Sequence, residues 1–175
     1  MTEPTPVHRR RHNEGLFGAL TAGFFFLLIG IFFITIPDLL GKTIGLVQDF
    51  NAVRVPHTGI YLPAPVTPSQ YTTVYTAVFQ FSLVWAFFEI AILILRIGIG
   101  SRYRRITRSF GNIVFWFGTA FLTNRYLSSM TTLMTLYAQH QRWYVFWGLL
   151  VALIGVSLIV RAIALAAYTA TRRYQ

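Results

Sequence analysis

From Tyr71 to Leu95 the chain carries a single charged side chain, Glu89, in an otherwise apolar run. A run of about 20 apolar residues crosses the hydrocarbon of a bilayer as one helix. Comparable runs cover residues 15–37, 106–127 and 143–168. A soluble domain has no place for four such segments. The expected fold is therefore all-α: a four-transmembrane-helix bundle of residues 15–175, preceded by a polar tail over 1–14. Between spans 1 and 2 an extracytoplasmic amphipathic helix and a Pro-rich loop are expected.

Composition agrees with these runs. Hydrophobic residues make up 55% of the chain and charged residues 11%, against about 25% charged in soluble domains. The formal charge is +10, from 15 basic and 5 acidic residues. Such an excess can signal nucleic acid. Here the arginines sit between apolar runs, and no module of aromatic and basic residues accompanies them, so no nucleic acid is expected. Basic clusters beside spans are topology determinants. Four spans put both termini on one side, with nine basic residues: Arg9, Arg10, Arg11, Arg102, Arg104, Arg105, Arg108, Arg172 and Arg173. The other side holds four: Lys42, Arg54, Arg125 and Arg142. The positive-inside rule then predicts a multi-pass plasma-membrane protein with cytoplasmic N- and C-termini.

The first apolar run is longer than a signal peptide's and lacks a small-residue cleavage site, so it is expected to be a retained span ended by Pro37. Pro4 and Pro6 are expected to keep the tail non-helical. Asp38–Phe50 places Leu39, Leu40, Ile44, Leu46, Val47 and Phe50 in one sector and its polar and glycine residues in the other. That helix is too short to span, and an interfacial position or a lid over the outer end of the bundle is expected. Asn51–Gln70, with Pro56, Pro63, Pro65 and Pro68, is expected to be extended or polyproline II. The region after Tyr126 reads either as a helical continuation through Tyr137 or as a loop from Ser128 to Gln141.

Polar groups inside the spans are few. A carboxylate at the bilayer centre costs about 3 kcal/mol on insertion scales, so Glu89 needs a partner, a proton or water. Arg96 lies two turns along the same face. Arg161 on the fourth span offers a direct ion pair that would join two helices. That pair needs Arg161 to turn inward, and the stripe Gly148–Ala152–Gly155, roughly opposite, to turn outward. The reverse rotation leaves Arg161 snorkelling to headgroups. The third span carries a polar lane, Asn112, Thr119 and Thr123, beside Gly111 and Gly118. Such residues either hydrogen-bond between helices or line a path, and Gln80 is a possible partner.

The chain has no Cys and four His. His57 and His140 share a side, but no further ligand residue accompanies them, so no metal is expected. His140, between two glutamines, is expected to be solvated. The motifs of phosphate loops, serine hydrolases and zinc proteases are missing, so no enzyme and no cofactor is expected.

Five stretches carry a resemblance: Gln48–Phe50, Val55–Pro65, Gln80–Trp85, Gly111–Gly118 and Trp143–Ala162. Together they resemble a family of small archaeal membrane proteins with no assigned activity. The resemblance implies four spans and an archaeal plasma membrane, and it implies no catalytic residue. The leading expectation is an accessory or scaffolding subunit of a membrane complex. It would associate with a membrane-protein partner or form a homo-oligomer through the small-residue faces of Gly15, Ala19 and Gly23 on span 1 and of the fourth span. The alternative is a small transporter or channel that uses Glu89 and the polar lane.

Overall fold

A computed structural model describes residues 6–98 and 103–172 of the protein; Arg102 and Arg173 lie outside them. The chain is mostly helical and divides into two compact units, Met1–Asp38 and Leu39–Gln175.

The first unit is helix α1, Pro6–Thr35. It begins inside the stretch expected to be a non-helical tail. The helix stops before Pro37, which pushes Ile36 away from the α region. Asp38 then takes a left-handed backbone, φ 55°. Phe26 is 71% and Ile34 86% exposed, exposures that suit lipid better than water.

The second unit holds α2 (Leu39–Gln48), β1 (Phe50–Arg54), β2 (Tyr61–Pro65) and a 3₁₀ turn (Pro68–Tyr71). These are followed by α3 (Thr72–Gly98), α4 (Tyr103–Leu122), a π-helical turn (Thr123–Ser128) and α5 (Leu136–Arg172). The segment expected to be polyproline II is instead an antiparallel hairpin, pairing Phe50 with Pro65 and Arg54 with Tyr61. The prolines permit this because of their phase. Val55 N donates to Ile60 O at 2.8 Å, which makes Val53–Leu62 and Asn51–Ala64 the hydrogen-bonded pairs. Pro63 and Pro65 fall on the alternate positions, where an N–H would point out of the ladder. At the tip Pro56 precedes His57, whose φ is 59°, the residue order of a type II turn.

The hairpin is sewn to the start of α5. Tyr144 Oη donates to both Val53 O and Leu62 O, at 3.0 and 3.1 Å. His140 Nε2 lies 3.0 Å from Pro65 O, so the histidine expected to be solvated is half-buried and engaged. Gln139 Oε1 accepts from Ser69 N at 3.0 Å. Beneath these bonds lies the main core, in which Ala64, Tyr75, Leu122, Leu127, Met130, Trp143 and Phe146 are buried together. Residues 129–135 form a turn-rich loop rather than a helical extension, and α5 starts seven residues before Trp143.

Helix α2 turns Leu39, Lys42, Gly45 and Leu46 inward. Lys42 Nζ donates to Thr73 Oγ1 at 2.9 Å, and Tyr71 Oη donates to Gly45 O at 3.2 Å. Leu40, Ile44 and Val47 face outward, Val47 being 67% exposed.

Three segments are long and apolar enough to cross a membrane: Gly18–Thr35, Pro68–Gly98 and Leu136–Ala167, with mean hydropathies of 2.2, 2.2 and 2.6. Helix α4, expected as the third of four spans, is not among them. Arginines fill its first turns, and Ser109, Asn112 and Thr119 take up part of its remaining length. It packs against both α3 and α5. The α4–α5 contact is close because of glycine: a Cβ on Gly118 would fall 2.4 Å from Leu153 Cδ1. Gly118→Ala is expected to lower stability in micelles by about 1–2 kcal/mol through overpacking, and Leu153→Ala in the same chain to recover most of it. A reversible unfolding titration of the single and double variants checks both outcomes.

Candidate functional site: a carboxylate–amide–guanidinium relay

Glu89 projects from the middle of α3 and is 7% exposed. Its Oε1 accepts from Asn112 Nδ2 of α4 at 2.9 Å. Asn112 Oδ1 in turn accepts from an Nη of Arg161 on α5. Among the described residues no ion pair joins Glu89 to Arg161 directly. The expected direct pair is replaced by a relay through the amide that binds three helices instead of two. The amide's orientation follows from chemistry. A guanidinium only donates and an ionised carboxylate only accepts, so Oδ1 must face Arg161 and Nδ2 must face Glu89.

Gly111 makes room for the relay. A Cβ there would lie 2.3 Å from Arg161 Nε and 2.5 Å from its Cγ, inside the stem of the side chain and not at its mobile end. Arg161 can reach Asn112 only because position 111 is bare. Arg161 Nε is itself buried without a hydrogen-bond partner. The rotation of α5 is thereby fixed: Arg161 faces inward, and Gly148, Ala152 and Gly155 face outward as exposed residues.

Arg96, two turns past Glu89, does not join the relay. Its Nη1 donates to Ser109 Oγ at 2.7 Å, a buried hydroxyl on α4. The two contacts run in opposite chain directions, Glu89 with Asn112 and Arg96 with Ser109, so α3 and α4 are antiparallel. The rest of the lane behaves differently. Thr119 Oγ1 donates back to Phe115 O at 2.8 Å. Thr123 is fully buried, and its hydroxyl has no hydrogen-bond partner. Gln80 is exposed and turned away from the lane.

The topology arginines fall at helix ends. Arg9–Arg11 lie in the first described turns of α1; Arg104, Arg105 and Arg108 lie in the first described turns of α4; Arg172 is the last described residue of α5. His57 and His140 have separate partners, His57 Nε2 lying 2.5 Å from Tyr137 Oη. Among the described residues no group of three or more His, Cys, Asp or Glu is placed to hold a metal ion.

Sequence reasoning found Glu89, Arg161 and Asn112 but not the order in which they connect. A signal was present. Tyr75, Ser82, Glu89 and Arg96 recur every seven residues, as do Asn112 and Thr119. Laying the two stripes antiparallel sets Glu89 opposite Asn112. Comparison of the chain with protein-family models, with curated proteins and with solved structures finds no match.

Asn112→Leu leaves a carboxylate and a guanidinium without their shared partner and is expected to cost about 3 kcal/mol. Gly111→Ala, which pushes Arg161 off the same amide, is expected to cost a similar amount. The double variant should lose far less than the sum, because both changes break one relay. Additive losses in a double-mutant cycle would show that Gly111 and Asn112 act separately.

Proposed function

We propose that the protein is a multi-pass membrane protein of four spans that serves as an accessory or scaffolding subunit, docking other membrane helices on the outer face of α5. The three apolar segments support a bilayer setting. The fourth span follows from packing: α4 runs antiparallel to both α3 and α5, so if they cross the bilayer it must cross with them. Its Arg-rich first turns then lie on the side of the α1 N-terminus and the α5 C-terminus. The positive-inside rule makes that side cytoplasmic. Helix α2, with Leu40, Ile44 and Val47 turned outward, suits the opposite interface. The resemblance to small archaeal membrane proteins is consistent with this arrangement.

One observation carries the docking role: the rotation of α5. The charged side chains of the bundle interior are consumed by one another through Asn112. The small residues Gly148, Ala152 and Gly155 are left on the exposed side, and a Cβ at Gly148 or Gly155 would meet nothing within 4 Å. Small residues at this spacing let a second helix backbone approach closely, which in lipid is a main source of helix–helix affinity.

The chain has no native cysteine, so Ala152→Cys supplies a unique probe. In native membranes this variant is expected to form a specific oxidative cross-link, either to itself or to a co-purifying membrane protein. Adding Gly148→Leu and Gly155→Leu should abolish the cross-link and leave the thermal midpoint of the extracted protein unchanged. A chain that stays monomeric and uncross-linked at native expression would overturn the docking role.

A further inference from the structure

The hairpin has two edges, and they are finished differently. Hydrogen-bonded pairing of Val53 with Leu62 and of Asn51 with Ala64 turns the N–H and C=O groups of the alternate residues outward. On β2 those residues are Tyr61, Pro63 and Pro65. Two of the three have no N–H to offer, and the Pro65 carbonyl lies 3.0 Å from His140 Nε2 of α5. Proline and a covering element are two of the ways in which sheets blunt an edge. On β1 the outward residues are Phe50, Ala52 and Arg54, and all three are exposed. None is a proline, and among the described residues none of their backbone N–H or C=O groups has a hydrogen-bond partner. Three successive open positions on a proline-free edge form a template for strand addition. In water such an edge recruits another strand, and in lipid its polar groups would go unsatisfied.

The edge is complementary to itself. A twofold through Ala52 lays β1 antiparallel to the β1 of a second copy, with Ala52 opposite Ala52 and Phe50 opposite Arg54. Every outward residue then exchanges N–H···O bonds with its opposite. The smallest side chain of the three falls at the axis. Each Arg54 guanidinium falls beside the Phe50 ring of the other copy, a cross-strand cation–π contact. Both groups are placed for it. Arg54 Nε donates to Thr58 O at 2.7 Å, which orders its stem. Phe50 makes a T-shaped contact with Trp143 and is still 38% exposed. Charge selects the same arrangement. The strand runs from Asp49 to Arg54, so the antiparallel sense brings opposite charges together, whereas a parallel one sets arginine against arginine. A slip of two residues leaves an outward position unpaired on each copy.

We propose that two copies of the chain pair through their β1 edges, joining their hairpins into one four-stranded antiparallel sheet centred on Ala52. Val53 and Ala64 lie on the core at the hairpin end of the bundle, while Ala52, Arg54 and Tyr61 are turned to the exposed side. The twofold stands perpendicular to the hairpin and along the bilayer normal, so both copies keep one orientation in the membrane. This interface uses backbone groups outside the spans, and docking at α5 uses small side chains within them. Neither depends on the other.

The chain has no native cysteine, so single cysteines read the register. In native membranes a short bismaleimide is expected to join Ala52→Cys to itself. Phe50→Cys and Arg54→Cys should join one another when the two variants are co-expressed. Neither should join its own kind to the same extent, because like positions stand about 14 Å apart along the strands. Ala52→Pro copies the proline directly across the ladder, Pro63, and removes only an outward N–H. It should lower the cross-link between positions 50 and 54 about tenfold through loss of the central bonds, with the far-ultraviolet spectrum of the extracted protein unchanged. Ala52→Lys keeps every N–H but sets like charges at the axis, and should act in the same way. Gly148→Leu with Gly155→Leu should leave the cross-link intact, which separates this interface from docking on α5. Phe50→Cys joining itself as readily as it joins Arg54→Cys would overturn the register. Cross-links from these positions only to a different protein, or none at native expression, would overturn the pairing of two copies.

Discussion

The bundle depends on how a carboxylate and a guanidinium are neutralised away from water. A direct pair would join only α3 and α5. Asn112 inserts an amide between them and so draws in α4, the least apolar helix of the three. Its carbonyl faces the cation and its amino group faces the anion, so each charge polarises the dipole in the sense that strengthens the other bond. The net charge of the unit is zero, and its geometry is specific. The amide offers an acceptor and a donor in one plane.

The relay also explains features that would otherwise be unrelated. Gly111 is needed because the stem of Arg161 occupies the space of its Cβ. Gly118, two turns on, lets Leu153 settle against α4 along the same line. Together they fix how closely α4 approaches α5 and which way α5 is turned. That rotation settles what the outside of α5 presents. The same bond that satisfies a buried charge decides that a small-residue stripe faces outward.

Much of this was legible in the sequence, and the remainder was hidden for identifiable reasons. Apolar length and the placement of Arg clusters mark α1, α3 and α5, because helix spans depend on local composition. The turn of α5 was hard to read: between Trp143 and Tyr168 the helix is apolar on every side except at Ser157 and Arg161, one turn apart, two residues too few to decide which face points inward. The hairpin was masked by its prolines, whose tolerance depends on a strand phase visible only once Val55 and Ile60 are paired. The relay sat between these extremes. All three members carried polar signals, but their order depended on the register of α3 against α4.

The hairpin end and the relay hold the bundle by different physics. At the hairpin end Trp143, Tyr75, Phe146 and Met130 are packed together and capped by bonds from Tyr144, His140 and Gln139 to backbone atoms of the hairpin and the 3₁₀ turn. Dispersion and backbone hydrogen bonds of this kind barely respond to charge. The relay is the reverse: few contacts, each charge-assisted.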